Sequence, residues 1–376
     1  MSATIMLAAN RGFAIHGSRR PLIAALLRAQ HRVVLATADD EYSRRLTGPG
    51  VSIEPITFMR GARSPIADIR SLQSLRAAIR RSCPDLIHNF HAKPVLFCTA
   101  AARSLPGKAG VAAIVNTITG LGHAFVRRGL LSHGIARAYA LALRRAHMTV
   151  FQNHDDHREF VERGIVPPER ACVIVGSGVD LHRFASVDRS GRDGSAPTVV
   201  MLARLLGAKG IREFVEVAGI VTKRIPEARF VVAGEEEPSH PDAIDVGWLR
   251  AQGAVEYEGR LDDVRGLLGS ADLMLMPTYR EGVPRVILEA AATGLPCVAF
   301  DVPGVREAIR SGRTGELVPF GDVQGLADRT IAMLERKAER ERMGAAARAF
   351  VEQEHDVESV TRRYLHIYGT AGVTAT

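Results

Sequence analysis

A doubly wound α/β fold, built twice along one chain, is the class this sequence predicts, and three observations carry it. Short apolar runs, many of them β-branched, alternate with helical segments. The alternation stops at a polar stretch rich in Gly, Ser and Asp at 188–198, and it then restarts with the same rhythm. Apolar strands set between helices imply a parallel sheet covered on both faces, since strands with no solvent side need no polar alternation. At 376 residues there is length for two cores of ordinary size.

In the first half the strand runs are "TIMLAAN" (4–10), "HRVVLAT" (31–37), "VSIEPI" (51–56), "DLIHNF" (85–90), "VAAIVNTI" (111–118) and "MTVFQN" (148–153). Helical segments between them include 19–30 and 66–82. The segment "DRSGRDGSAPT" reads as a linker. After it come "TVVMLAR" (198–204), "ARFVVAGE" (228–235), "AVEYEG" (254–259), "DLMLMPT" (272–278), "PCVAFD" (296–301) and "GELVPF" (315–320). The boundaries that follow are 1–187 for a first Rossmann-like domain, 188–355 for a second, and 356–376 for a terminal segment. In that segment Val360, Tyr364 and Ile367 fall near one helix face and are expected to pack back on the first domain. Two such domains are expected to face a cleft, with ligands beyond the carboxyl ends of the strands.

Composition narrows the class. Hydrophobic residues make up 46% and charged residues 24%, and no apolar run is long enough to span a membrane. The opening apolar stretch has no basic residue before it and reads as the first strand rather than a signal peptide. Cys83, Cys98, Cys172 and Cys297 form no CxxC pair, which fits reduced thiols, a cytoplasmic setting and no metal site. Net charge is +8, but residues 1–185 hold 25 Lys+Arg against 12 Asp+Glu, while the remainder holds 24 against 29. A basic first half suits an anionic partner: nucleic acid, a membrane surface or a phosphorylated substrate. A general preference for arginine in the proteome would leave the same trace.

Four stretches at strand ends carry candidate chemistry. "TYREGVPRVILEA" follows a buried strand and opens a helix, with Pro284 suited to the first helical turn. Glu281 lies in the loop and Glu289 in the helix. Between the two carboxylates, around Gly282, Val283 and Pro284, the helix start offers backbone N–H groups and the positive end of its dipole, Pro284 having no N–H of its own. That arrangement offers a carboxylate for a polyol, donors for phosphate and a second carboxylate for a diol. The plain alternative is a solvated Glu281 and a Glu289 paired with an arginine. In "VVMLARLLGAKGIREF", Arg204 closes a strand and Lys209 stands at a helix entry. Together they suit a diphosphate, or else are surface cations. "AANRGFAIHGSRRPLI" places Gly12 and Gly17 in a loop, with Arg19 and Arg20 at the next helix. It is not a GxGxxG fingerprint, but it allows phosphate approach. "NTITGLGHAF" holds Gly120, Gly122 and His123, and "HNFHAKP" adds His88, His91 and Lys93. A histidine here bonds a sugar hydroxyl, acts on an acceptor, or is structural. There is no Walker A, no HExxH and no Asp-x-Asp, so a diphosphate would be held without metal by cations and helix dipoles.

These residues together resemble the retaining glycosyltransferases of the GT-B fold, family 4. "SGVDLHRF" (177–184), "ARLLGAKGIREF", the Glu-x7-Glu of "EGVPRVILE", and "ATGLPCVAFDVPGVREAI" (292–309) follow the family's motifs in order and spacing. Ser177 and Ala203 depart from its usual Asn and Gly. More narrowly, "RPLIAAL", "EYSRRL" and the "GLG" loop resemble bacterial transferases adding N-acetylgalactosamine to diacetylbacillosamine on undecaprenyl diphosphate, and related capsule and lipopolysaccharide enzymes. The resemblance implies that Glu289 binds the ribose and Glu281 the donor sugar. It implies that Arg204 and Lys209 neutralise the departing diphosphate of a UDP-sugar, with no cofactor. Gly12 and Arg19 would serve the donor, Lys93, Gly120 and Gly122 the acceptor, and His123 would join Glu281, Arg204 and Lys209 as a catalytic group. A lipid-linked acceptor would place the enzyme peripherally on the inner face of the cytoplasmic membrane, against anionic lipid. The helix at 130–147 is a candidate contact, or an ordinary core-facing helix. Two rivals are a sugar-nucleotide 2-epimerase of the same architecture and a family 4 transferase with a soluble acceptor. The low aromatic content, 5%, argues against single-stranded nucleic acid.

Overall fold

Along β1 (Thr4–Ala8), Ile5 and Leu7 enter one hydrophobic cluster while Met6 and Ala8 enter another. The same split runs along β2 (Arg32–Thr37), with Val33 and Leu35 on one side and Val34 and Ala36 on the other. This is the period-two geometry of a strand buried on both faces, and it explains why these segments read as continuous apolar runs. In the computed structural model, which describes residues 2–56, 65–105, 111–121, 130–189 and 196–373, the chain forms two units. One comprises Met1–Ser177 with Val357–Thr376, the other Gly178–Asp356.

The first unit adds β3 (Val51–Pro55), β4 (Leu86–Phe90), β5 (Ala113–Ile118), β6 (Met148–Phe151) and β7 (Ala171–Val173). The sheet order is β3-β2-β1-β4-β5-β6-β7, and each pairing is parallel. β7 was not legible: three half-buried residues are too short a run to show a period. The terminal helix Val357–Thr370 covers one face, burying Val360, Tyr364, Ile367 and Tyr368 beside Ile5, Leu7 and Phe90.

The second unit contains β8 (Thr198–Leu202), β9 (Arg229–Ala233), β10 (Glu256–Tyr257), β11 (Leu273–Met276), β12 (Cys297–Phe300) and β13 (Gly315–Val318). Its order is β10-β9-β8-β11-β12-β13, again parallel throughout.

The division between units falls ten residues earlier than composition suggested, after Ser177 rather than after 187. The residues just before the polar stretch are tied into the second unit. Phe184 is buried, and its carbonyl accepts from Arg348 Nη1 at 2.8 Å. Arg189 donates to the carbonyls of Ala271, Thr293 and Leu268 at 3.0, 2.6 and 2.8 Å. The two chain crossings are themselves bonded, Val179 N to His355 O at 2.8 Å.

Candidate active site

In a parallel sheet wound outward in both directions, the loops diverge where the order reverses, leaving a crevice at the carboxyl ends of the two central strands. In the second unit those strands are β8 and β11. The sequence-predicted residues come from them: Arg204 just after β8, Lys209 at the end of the 3-10 turn Gly207–Lys209, and Glu281 in the loop after β11. Glu289 comes from the helix that follows, Arg285–Ala292.

Close backbone contacts lock the loops. Tyr279 N donates to Ala208 O at 3.1 Å. Gly210, at φ +83°, would place a Cβ 1.9 Å from Pro277 O, so only glycine lets the β8 loop approach β11 this closely. On the other side Glu281 N donates to Pro303 O at 3.1 Å. A Cβ on Gly304 would fall 2.4 Å from Glu281 O. The Tyr279 hydroxyl donates to Glu213 Oε1 at 2.5 Å, and burial, reinforced by that carboxylate, pushes the phenol up to about 12.

Each of the four charged groups expected in this unit has an ionic partner. Lys209 Nζ donates to Glu281 Oε1, which also lies 3.0 Å from Thr278 Oγ1. Both side chains of that pair are largely buried, 19% and 14% exposed, so Glu281 is not a solvated loop residue. Arg204 Nη1 donates to both oxygens of Glu237, at 3.0 and 3.0 Å. Glu289 is buried and accepts from Arg285 Nη2 at 2.6 Å, one helical turn away. The arginine partner expected under the plain alternative is therefore present for Glu289.

Two details differ from the sequence reading. Pro284 is not in the first turn but is the N-cap (φ −71°, ψ 110°), and its carbonyl accepts from Ile287 N at 3.1 Å. Gly282, Val283 and Pro284 are all buried. The glycine-bearing turn at 207–210 is not an open anion cradle either. Gly207 N donates to Asp242 O at 2.9 Å and Ala208 N to Asp242 Oδ2 at 2.7 Å. Glycine at 207 makes room for that carboxylate, since a Cβ there would lie 2.6 Å from Asp242 Oδ1.

In the first unit the reversal lies between β1 and β4. The stretch read as a loop after β1 is a helix, Gly12–Ser18. Gly12 N donates to Asp40 Oδ2 at 2.9 Å, and a Cβ on Gly12 would meet Ser43 N at 2.5 Å, so this glycine serves helix packing. Arg19 does not stand on the surface. It is 4% exposed, with its guanidinium 4.4 Å from the Phe90 ring centroid and 5.2 Å from that of Tyr364. Among the described residues it has no carboxylate partner. Beside it His88 lies 2.5 Å from Tyr368 Oη through Nδ1 and 2.7 Å from Thr117 Oγ1 through Nε2. Burial first, and then Arg19, holds this imidazole far below its ordinary range, so it is neutral and structural. His91 caps the helix Ala92–Arg103 at φ +72°, a strained position for a non-glycine residue at a strand end. Lys93 Nζ donates to Asp68 Oδ1 at 3.1 Å. Gly120 follows β5 at φ +119°. Gly122 and His123 lie outside the described residues.

Sequence reasoning missed Glu237, Asp242 and Thr278, which have no motif of their own. Arg285 had a signal, its i,i+4 spacing to Glu289. A cavity of ≈ 680 Å³ touches Pro197, Asp272 and Pro296, at the amino ends of β8, β11 and β12. It is on the opposite edge of the sheet from all of these side chains.

A model described as "Glycosyl transferase 4-like domain" matches residues 18–175, and one described as "Glycosyl transferases group 1" matches 196–336. The chain belongs to these glycosyltransferases. The transferase is similar to the N,N'-diacetylbacillosaminyl-diphospho-undecaprenol alpha-1,3-N-acetylgalactosaminyltransferase of Campylobacter jejuni. The two are 27% identical over 374 residues, 95% of this chain and 96% of the relative. Among solved structures it shares its fold with a sucrose-phosphate synthase from Thermosynechococcus elongatus (TM-score 0.81, 18% identity, 98% of each chain). It also shares it with Anabaena HepE, solved in complex with UDP and glucose (TM-score 0.79, 19% identity, 98% of this chain and 100% of that one). Both units of the transferase are thus Rossmann-like domains of the GT-B class.

Proposed function

We propose that this transferase moves a sugar, an N-acetylhexosamine, from its UDP form to a glycan acceptor carried on a polyprenyl diphosphate, with retention at the anomeric carbon. Its place is the assembly of a bacterial surface polysaccharide or protein-linked glycan. The observation that carries the reading is the gathering of Arg204, Lys209, Glu281 and Glu289 at the carboxyl edge of one parallel sheet, at its point of reversal. The similarity to the Campylobacter enzyme, along nearly the whole of both chains, supports the acceptor class. A like-folded protein solved with UDP supports the donor class.

The roles follow from the ion pairs. A diphosphate engages Arg204 while its Nη1 stays on Glu237, and competes with Glu281 for Lys209. As Lys209 turns to phosphate, Glu281 is released beside the donor sugar, where its oxygens accept from hydroxyls. Glu289, held in one rotamer by Arg285, accepts from the ribose diol. Bond breaking gives an oxocarbenium-like sugar and puts negative charge on the leaving diphosphate. Arg204, Lys209 and the N-terminal N–H groups of the helix Arg285–Ala292 neutralise that charge. No metal enters the scheme. Retention implies attack from the face the leaving group departs, with a phosphate oxygen taking the acceptor's proton. Arg19, buried and among the described residues without a carboxylate beside it, is assigned a donor phosphate, with Gly12 shaping the helix before it. Lys93, Gly120 and Gly122 are assigned to the acceptor, and His123 to catalysis beside it.

The acceptor's lipid places the first unit at an anionic bilayer. Between Asp85 and Asp155 the chain has no Asp or Glu, but eight Lys and Arg. The helix Leu130–Leu143 buries Tyr139 and Leu143 in a core cluster, so the apolar face read as a surface contact is a core face. Its exposed residues include Arg137 and Leu141, the latter 71% exposed, and are followed by exposed Arg144 and Arg145. Among the described residues no helix is long and apolar enough to cross a membrane. The test of the donor assignment is calorimetry with UDP, ADP and GDP, followed by transfer assays from UDP-sugars to a polyprenyl-diphosphate glycan. Tight binding of ADP or GDP in place of UDP would overturn the donor assignment, and transfer only to soluble sugars would overturn the acceptor.

A further inference from the structure

The hydrogen bonds around Arg204 are lopsided. A guanidinium offers five N–H donors, and its Nε–Nη2 edge presents two of them in parallel, the spacing that grips two phosphate oxygens. Here both contacts to Glu237 use Nη1. Among the described residues Nε and Nη2 make no hydrogen bond. The carboxylate is well covered, 11% exposed, while the arginine side chain is 40% exposed.

Glu237 is delivered to this spot by backbone. The ends of β8 and β9 are zipped, with Ala203 N donating to Ala233 O and Leu205 N to Glu235 O, each at 3.0 Å. Gly234 lies so close to β8 that a Cβ would come within 1.7 Å of Ala203 O. The Tyr257 hydroxyl donates to Gly234 O at 2.9 Å, holding the turn from the β10 side. A carboxylate fixed in this way constrains a long, half-exposed arginine that would otherwise sample many rotamers.

We propose that Glu237 is a positioning residue for sugar transfer: it ties one nitrogen of Arg204 and so presents the Nε–Nη2 edge to the donor diphosphate. The inference rests on the assignment of Arg204 to the diphosphate. It places Glu237 against Arg204 rather than against substrate, so its effect reaches the ligand only through that side chain.

The test is a double-mutant cycle on the full chain, with dissociation constants for UDP and for uridine. Arg204→Ala should weaken UDP strongly and leave uridine unchanged. Glu237→Ala should weaken UDP about tenfold, equal to about 1.4 kcal/mol, leave uridine unchanged, and add nothing in the Arg204→Ala background. Glu237→Gln, which keeps one acceptor oxygen, should recover part of the loss. If Glu237→Ala binds UDP as well as the parent, or more tightly, while Arg204→Ala binds poorly, Glu237 is a competitor or a bystander and the proposal is wrong. If Arg204→Ala binds UDP normally, the diphosphate assignment itself fails, and Glu237's role falls with it.

Discussion

Replacing Lys209 with methionine separates two consequences of one ion pair. Glu281 would keep Thr278 Oγ1, at 3.0 Å, as its remaining neutralising contact, and it is only 14% exposed. Breaking a fully buried pair costs about 3–5 kcal/mol, and an orphaned polar group about 1–3 kcal/mol. With some solvent and one hydroxyl retained, about 2 kcal/mol is expected, lowering the melting temperature of a unit this size by about 4–8 °C. The second consequence is chemical. Losing one preorganised charge at the leaving group costs about 10²–10³ in kcat/KM. The double variant Lys209→Met/Glu281→Gln removes the orphaned charge, so it should regain most of the melting temperature and none of the turnover. Thermal denaturation beside a UDP-release assay with acceptor present reads both. Turnover that returns together with stability in the double variant would refute the idea that Lys209 acts on the diphosphate, leaving it a structural cation.

Other consequences are as direct. Glu289→Gln should weaken UDP about tenfold, near 1.4 kcal/mol, yet leave inorganic pyrophosphate binding unchanged; equal losses for both would remove the ribose role. Tyr368→Phe takes away the hydroxyl 2.5 Å from His88 Nδ1 in a fully buried site. It should destabilise the first unit by about 1–3 kcal/mol without moving the UDP dissociation constant of the second. Burial pushes His355 down to about 4 and holds His88 below its ordinary range. The unfolded chain therefore binds more protons than the folded one below about pH 6.5. Stability is complete above that value and falls as pH drops toward the folded value; between pH 7 and 5 His355 alone accounts for up to about 2 kcal/mol. Melting temperatures that rise on acidification would contradict this. Arg144→Glu/Arg145→Glu should weaken binding to anionic vesicles, at about 1 kcal/mol for each charge removed near the surface. Neutral vesicles should bind both proteins equally poorly, and equal binding of both proteins to anionic vesicles would argue for another face.

Much of the framework was legible because burial on both faces writes itself into composition. β1, β2, β8 and β11 show as unbroken apolar runs, and Val360, Tyr364 and Ile367 mark the inner face of the terminal helix. The helix Gly12–Ser18 was misread as a loop because its two glycines weighed against helix. The reason for Gly12 is a close approach by Asp40, 28 positions along the chain and invisible locally. The division between units was misplaced for a similar cause: a polar, glycine-rich stretch is a good sign of a loop, but Phe184 and Arg189 are held by residues 164 and 104 positions away.

Charge type and strand-end placement were thus properties of the sequence alone. Arg204, Lys209, Glu281 and Glu289 had to stand near the carboxyl edge of one sheet, because alternation of strand and helix permits little else. Which carboxylate meets which cation was decided by tertiary structure. Glycines at 210, 234 and 304 let three loops approach to backbone contact, and that approach set Lys209 on Glu281 and Arg204 on Glu237. The physical reason is range: hydrophobic periodicity is a local signal repeated over many residues, whereas an ion pair is a single contact set by the packing of distant backbones.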